Sequence, residues 1–247
     1  LPQANGDFSG MIVVFDNLTQ LIKAQKIATW KEVAQRVAHE IKNPLTPIQL
    51  SAERIIKMLK KQDPNSPRVI EEGAETIIQE ARTIKSMVDE FSNFARMPKV
   101  ELRPGDLRPL IAQAVGLFRG IFSQVEFETE LASDLPVPLQ LDPEQIKRAM
   151  INIFDNALEA MGKKGTIRVR AFFEKNKQQV SIEISDTGPG IAIEDKTKLF
   201  LPYFSTKKKG TGLGLAIVNQ IIREHHGTIR VENLKPTGAK FTIQLPA

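Results

Sequence analysis

Hydrophobic residues recur three and four positions apart along two stretches of the N-terminal half. This spacing predicts one helix from about Leu18 to Lys60 and a second that ends near Phe91, with a turn at 63–67 (DPNSP). Because two narrow apolar stripes cannot enclose a core, we expect two hairpins to form a four-helix bundle in a homodimer. The stripes comprise Ile27, Trp30, Ala34, Val37, Ile41, Leu45, Ile48, Ala52, Ile55 and Leu59, then Ile70, Ala74, Ile77, Ala81, Ile84, Val88 and Phe91.

The C-terminal half alternates between helical spacing and the two-residue spacing of strands. This order predicts an α/β two-layer sandwich with helices on one face of a mixed sheet. A ligand is expected between the helix layer and a lid at 191–210, where Phe200 and Phe204 would act as apolar latches. The predicted helices are 107–118, 143–161 and 213–226, and the predicted strands are 124–131, 139–141, 166–173, 179–185, 228–234 and 239–245.

These patterns divide the chain into four segments. Residues 21–97 form the helical hairpin, 98–106 a proline-containing linker, and 107–247 the sandwich domain. Residues 1–20 have the pattern of a strand that leads into a helix, and they resemble the last strand and exit of a PAS sensor domain. That segment is too short to fold alone.

Composition excludes several classes of function. The chain has 247 residues, of which 41% are hydrophobic and 26% charged, which is typical of a globular protein. It has no cysteine, so disulfides, thiolate nucleophiles and zinc ribbons are excluded. The net charge of +5 comes without a basic stripe that contains aromatic residues, so we expect no nucleic-acid partner.

No apolar run approaches the roughly 18 residues that a membrane span needs, so no membrane contact is expected in this segment. The chain does not begin with Met, which indicates a piece of a longer protein. We expect it to be cytoplasmic, as part of a protein that is membrane-anchored elsewhere.

The segment DTGPG at 186–190 follows an alternating strand. Gly188 and Gly190 allow a flat ligand to approach the backbone closely. The Asp186 carboxylate can accept a hydrogen bond from an exocyclic amine, which adenine has and guanine lacks at that position. An ordinary glycine turn is the alternative.

A second glycine segment, GTGLG, opens an apolar helix. Backbone N–H groups in such a loop can face phosphate oxygens, and the helix N-terminus favours anions. We also expect Lys207, in the adjoining basic run, to contact phosphate. The loop residues assigned to nucleotide binding are Gly210, Thr211, Gly212, Leu213 and Gly214.

Between the hairpin and these loops lies a helix with two amides on one face. Asp142 is its predicted N-cap and Pro143 its first residue. Asn152 and Asn156 stand four residues apart and therefore project together. Such a pair suits Mg²⁺, with Asn156 as the metal ligand, although solvent-facing asparagines are the alternative. In combination with both glycine segments, this helix predicts an ATP site.

Taken together, these motifs resemble those of a known protein family. NIFDNALEA, DTGPG, LFLPYF and GTGLG are similar, in this order, to the N, G1, F and G2 boxes of sensor histidine kinases. HEIKNPLTP, from His39, resembles their H box. The H-box sequence and the end of the second predicted helix, DEFSNFARMP, are most similar to the NtrY subfamily of nitrogen-regulation kinases. The resemblance implies a GHKL (Bergerat-type) ATP-binding fold.

The resemblance also implies roles for the residues around His39. The histidine lies off the apolar stripe, and an exposed neutral imidazole is a good nucleophile near pH 7. It would accept the γ-phosphoryl group of Mg-ATP and pass it to an aspartate in a response regulator receiver domain. Glu40 would act as a base or orient the ring, and Asn43 would position a water for dephosphorylation of the regulator. For Asn43, the alternative is a structural role beside Pro44.

Two other classes remain open on the sequence alone. A GHKL-type ATPase would cycle between dimer conformations without a phosphohistidine, although such relatives usually carry glutamate at the position of Asn152. A scaffold without catalysis is the second alternative, and the intact Asp186, Asn156 and glycine boxes argue against it. Glu159 stands where many sensor kinases carry lysine. His225 and His226 are assigned to a helix C-terminus without a catalytic role.

Overall fold

The computed structural model describes residues 19–61, 66–95, 100–206 and 212–247, with side chains from residue 38 onward except 61, 90, 91 and 93–95. The PAS-like segment up to residue 18, together with Lys207, Gly210 and Thr211, lies outside the described residues. The chain divides into two compact units, Leu1–Ala81 and Arg82–Ala247. The domain boundaries predicted at residues 97 and 107 stay predictions.

Two long helices form the N-terminal part, as the apolar spacing predicts. Helix α1 spans Thr19–Lys61 and continues through Pro44 and Pro47. Helix α2 spans Ser66–Ala95, so the predicted turn at 63–67 is too long at its C-terminal end. The Ser66 hydroxyl donates a hydrogen bond to the backbone oxygen of Met58, 3.1 Å away, across the turn.

The two arms approach each other closely at Gly73, which is buried. A Cβ atom at this position would lie 2.9 Å from Cδ1 of Ile55. Larger apolar side chains of the hairpin remain accessible in the single chain, although they belong to the predicted stripes. Leu45, Leu59 and Val88 are 47%, 59% and 46% exposed.

The C-terminal unit is the predicted sandwich of helices on a mixed sheet. Its five-stranded sheet has the order β2-β4-β5-β7-β6, in which β2 and β4 pair in parallel and the other neighbours pair antiparallel. The elements are β1 (Arg103–Gly105), α3 (Leu107–Gly116), β2 (Val125–Leu131), β3 (Leu139–Leu141), α4 (Pro143–Ala160), β4 (Gly165–Glu174), β5 (Gln179–Asp186), α5 (Gly214–Glu224), β6 (Thr228–Asn233) and β7 (Ala239–Pro246), with a 3₁₀ turn at Ile193–Asp195.

One strand was not predicted. The three residues of β1 pair antiparallel with β3, inside the segment assigned to the linker. Its sequence, Arg-Pro-Gly, shows no apolar alternation, so the pattern carried no signal for it.

The two faces of the large sheet differ in chemistry. The face that packs against the helices carries alternating buried residues, among them Ile167, Ile182 and Ile243, and it meets Phe154 of α4. The opposite face carries charged pairs, such as Lys240 with both Glu183 and Glu232.

No helix among the described residues is both long enough and apolar enough to cross a bilayer.

Candidate functional site

A cavity of about 530 Å³ opens beside α4, the loop that follows β5, the start of α5 and the start of β7. The sequence motifs predicted much of its wall, although they lie far apart in the chain. The predicted residues that line the cavity are Asn152, Asn156, Asp186, Gly190, Gly212, Gly214 and the lid residue Phe204.

Asp186 ends β5 and is only 6% exposed. Its Oδ1 atom accepts hydrogen bonds from the backbone N–H of Gly188 at 2.8 Å and of Ala239 at 3.3 Å. Burial raises the pKa of this carboxyl group, and the two backbone hydrogen bonds only partly oppose that effect. Both of these bonds fall on Oδ1, so Oδ2 is the atom that suits a ligand amine in the cavity.

The loop after Asp186 is held in one conformation by Asn233. The side-chain amide of Asn233 accepts from the backbone N–H of Ile191 at 2.9 Å and donates to its carbonyl at 2.7 Å. Gly190 has φ +81°, and a Cβ atom there would lie 3.1 Å from Oδ1 of Asn233. The positive φ favours glycine at this position, and a Cβ atom would also displace the Asn233 side chain.

The amides of α4 face the beginning of α5. Asn152 donates from Nδ2 to the carbonyl of Arg148 at 3.0 Å, and Asn156 donates in the same way to the carbonyl of Asn152 at 2.8 Å. These bonds join the two amides to the backbone of their own helix. A Cβ atom on Gly214 would lie 3.3 Å from Oδ1 of Asn152, so a larger residue there would require the Asn152 side chain to shift.

The F-box segment is joined to the second glycine loop through backbone contacts. The N–H of Tyr203 donates to the carbonyl of Gly212 at 2.9 Å, and both residues have positive φ, +62° and +68°. A Cβ atom on Gly212 would lie 2.5 Å from the carbonyl carbon of Tyr203. Tyr203 is buried, which raises the pKa of its phenol to about 12. The side chain therefore anchors the lid beside the cavity.

Three predicted residues play different parts from those expected. Gly188 serves Asp186 through its backbone N–H and does not line the cavity. Leu213 is 1% exposed and belongs to the core rather than to the cavity wall. Phe200 does not line the cavity either, so Phe204 alone of the two predicted latches faces it.

Other residues of the site were missed. Ile191, Asp195 and Leu199 line the cavity from the lid, and Ala239 and Phe241 line it from β7. The β7 residues carry no motif, and only the pairing of β7 with β5 brings them to the site. Glu159 also lines the cavity, from the end of α4.

The histidine of the first helix lies in the other compact unit. His39, Glu40 and Asn43 are all exposed on α1, whereas Pro44 is buried. The imidazole is thus accessible to a reaction partner, and the neighbouring proline belongs to the packed side of the helix.

Two family models match the chain over these regions. Residues 29–99 match the His Kinase A (phospho-acceptor) domain, and residues 141–247 match the family described as histidine kinase-, DNA gyrase B- and HSP90-like ATPase. The first match contains His39 and the second contains the whole cavity wall. The chain belongs to the sensor histidine kinases.

Curated relatives of this family align with almost all of the chain. The nitrogen regulation protein NtrY of Azorhizobium caulinodans is 40% identical over 241 residues, which are 96% of this chain and 31% of NtrY. The histidine-protein kinase AtoS of Escherichia coli is 33% identical and covers 98% of this chain, which spans 40% of AtoS. The chain therefore spans less than half the length of these two sensor kinases.

A solved histidine kinase structure has the same fold. The histidine kinase ThkA, in complex with the response regulator protein TrrA, aligns with a TM-score of 0.71 and 28% identity. That alignment covers 94% of this chain and 68% of the ThkA chain. The similarity extends over both the helical hairpin and the sandwich unit of this sensor kinase.

Proposed function

We propose that this chain is the catalytic portion of a sensor kinase that transfers the γ-phosphoryl group of ATP to His39. The observation that carries the proposal is a cavity lined by a buried carboxylate and by two amides beside a glycine loop, in a chain that also exposes a histidine. The carboxylate suits an adenine amine, and the glycine loop at a helix N-terminus suits phosphates.

Adenine recognition is assigned to Asp186. Its Oδ1 is held by the N–H groups of Gly188 and Ala239, so the carboxylate has one orientation before the ligand arrives. Oδ2 would accept the hydrogen bond from the exocyclic amine. Guanine has no amine at that position and would leave a buried carboxylate without its partner, which costs affinity.

Magnesium is assigned to the phosphate end, with Asn156 as its protein ligand. The residues fit this ion, because Asn156 lines the cavity and its amide oxygen is a hard donor. Mg²⁺ is usually held by few protein atoms together with phosphates and waters. When bound, it would neutralise charge on the phosphates.

The chemistry at His39 follows from its exposure. Nε2 would attack the γ-phosphorus as the bond to the β–γ bridging oxygen breaks, so that ADP leaves and a phosphoramidate forms. Glu40 would hold the Nδ1 proton of the ring and accept it as positive charge develops. Because phosphoryl transfer needs positioning and charge neutralisation more than covalent help, the cavity residues supply the rest.

The phosphoryl group would then pass to an aspartate in the receiver domain of a response regulator. Asn43 lies one turn from His39 on the same helix, and its amide would position a water that hydrolyses the phosphoaspartate. The accessible stripe residues of the hairpin support a homodimer that forms a four-helix bundle. We place the chain in the cytoplasm, within a longer sensor that is membrane-anchored elsewhere.

Labelling with γ-labelled ATP, followed by acid and by base, tests this function. A phosphohistidine is lost in acid and retained in base, and that pattern is the expected result. ATP hydrolysis without a labelled protein would instead support the ATPase alternative.

A further inference from the structure

His225 follows the last residue of α5 and is only 2% exposed. Both of its ring nitrogens have backbone partners. Nδ1 lies 2.7 Å from the carbonyl oxygen of Ile221, and Nε2 lies 2.9 Å from the backbone nitrogen of Asp142. Because a carbonyl only accepts and an amide N–H only donates, one neutral tautomer, protonated at Nδ1, satisfies both.

Asp142 joins this contact to the rest of the unit. It is the N-cap of α4, and its Oδ1 accepts from the backbone N–H of Gln145 at 3.1 Å. Its Oδ2 accepts from the backbone N–H of Glu101, also at 3.1 Å. His225 therefore connects the end of α5 to Asp142, the N-cap of α4. Asp142 is itself held in place by the hydrogen bonds from Gln145 and Glu101.

The same two helices meet again at the cavity. Gly214, the first residue of α5, lies close to Asn152, because a Cβ atom on this glycine would be 3.3 Å from Oδ1 of Asn152. An 11-residue helix is about 16 Å long, so the histidine lies at the far end of the helix from the phosphate loop.

The middle of α5 contacts its surroundings through apolar residues. The buried residues are Ala216, Ile217, Val218, Ile221 and Ile222. Apolar burial is non-directional and resists a small slide of the helix along its axis only weakly. Hydrogen bonds are directional, so the bond between Nε2 of His225 and the backbone N–H of Asp142 constrains the position of α5 along α4.

We propose that His225 is a positioning residue that holds the phosphate-binding end of α5 against the asparagines of α4. The adenine end of the cavity depends on Asp186, Gly188 and Ala239, which lie on β5, the following loop and β7. Loss of His225 should therefore weaken binding of the triphosphate more than binding of adenosine. The inference rests on ATP binding in this cavity.

The test compares ATP and adenosine affinities, by NMR titration, for wild type, His225→Phe, His225→Gln and His226→Asn. Phenylalanine keeps a ring and removes both hydrogen bonds, whereas the glutamine oxygen can still accept from Asp142. His226 is the matched control, since it is adjacent, exposed and at φ +59°, which asparagine tolerates.

We expect His225→Phe to weaken ATP binding about tenfold, the scale of one hydrogen bond, and adenosine binding less than about twofold. His225→Gln should recover part of the ATP affinity, and His226→Asn should match wild type. If His225→Phe does not fold, the same prediction is tested with His225→Gln, which should lose more affinity for ATP than for adenosine. Equal losses for both ligands, or no loss, would overturn the positioning role alone. A wild-type protein that binds adenosine and ATP equally poorly would overturn the proposed function as well.

Discussion

The helical hairpin and the sandwich unit bury their hydrophobic residues in different ways. Every large buried hydrophobic side chain among the described residues belongs to residues 107–245. In the hairpin, by contrast, stripe residues such as Leu45 and Leu59 remain about half exposed. The sandwich encloses its own apolar core and cavity, whereas the exposed stripe residues of the hairpin are those that the proposed dimer would bury.

The comparison also separates the two halves of the proposed reaction. The sandwich fixes its ligand-binding groups through buried hydrogen bonds, such as those of Asp186. The hairpin presents His39 to solvent, with Glu40 and Asn43 beside it. We therefore expect substitutions in the sandwich to change nucleotide binding, and substitutions in the hairpin to change phosphoryl transfer or hydrolysis.

The sharpest separation is expected for His39→Ala. The substitution removes the nucleophile, so phosphoprotein formation should be abolished, while ATP affinity should stay within about twofold because the cavity is in the other unit. Labelling and nucleotide titration on one preparation measure both. Acid-labile label on the variant would exclude His39 as the acceptor.

The proposed dimer of the hairpin is tested by Leu59→Asp. A charge buried at each half of a symmetric interface costs several kcal/mol, so we expect dimer affinity to fall by more than about a hundredfold. Sedimentation as a function of concentration measures the change.

Leu50→Asp is the matched control for that substitution. Leu50 and Leu59 are the same residue type, 60% and 59% exposed, and nine positions apart on α1. That spacing is about two and a half turns, which places them on opposite sides of the helix. Equal effects of the two substitutions would argue against an interface on the stripe.

In the sandwich, Asp186→Asn should weaken ATP binding and reduce the preference for adenine over guanine. Loss of a charge-assisted hydrogen bond in a buried site costs about 1.5–3 kcal/mol, or roughly ten- to more than a hundredfold in affinity. Calorimetric titration with ATP and GTP measures both effects. An unchanged ATP affinity would remove Asp186 from adenine recognition.

Asn43→Ala should divide the two activities of the hairpin. Its amide takes no proton in the kinase reaction, so labelling of His39 should persist, while dephosphorylation of the regulator should fall about tenfold or more. Both rates are measured with the same protein and a phosphorylated receiver domain. Equal losses in the two rates would support a structural role beside Pro44.

The smallest expected effect concerns stability without nucleotide. Because burial raises the pKa of Asp186, the folded protein favours the protonated carboxyl, and stability falls as the pH rises through that raised pKa. Asparagine stays neutral and keeps an oxygen for the N–H groups of Gly188 and Ala239. The melting temperature of Asp186→Asn at pH 7 should therefore equal that of wild type or exceed it by a few degrees at most. A clear decrease in the melting temperature would contradict this account of the buried charge.

Local patterns predicted most of the fold. The helix from Pro143, with Asp142 as its N-cap, is present as expected, because capping and periodicity are encoded within one stretch of sequence. The cavity residues on α4 and in the glycine loops were also found, since each belongs to a motif. Strand β1 was missed because Arg-Pro-Gly shows no apolar alternation, whereas β3, which is equally short, alternates as Leu-Gln-Leu.

The missed parts of the site depend on contacts between distant segments. Ala239 reaches Asp186 across 53 residues, and Asn233 reaches Ile191 across 42. His225 meets Asp142 across 83 residues. No local sequence pattern identifies the contact partner of Ala239, Asn233 or His225. These contacts become visible only when the strand pairing and helix packing are known.

The central claim is that the nucleotide bound by the sandwich unit phosphorylates the histidine exposed on the hairpin. Incubation of the wild-type protein with Mg-ATP, followed by peptide mapping in mild base by mass spectrometry, tests it most directly. The account predicts one phosphorylated peptide, which contains His39 and loses the phosphoryl group in acid. A phosphoryl group on any other residue, or ATP turnover without protein phosphorylation, would contradict it.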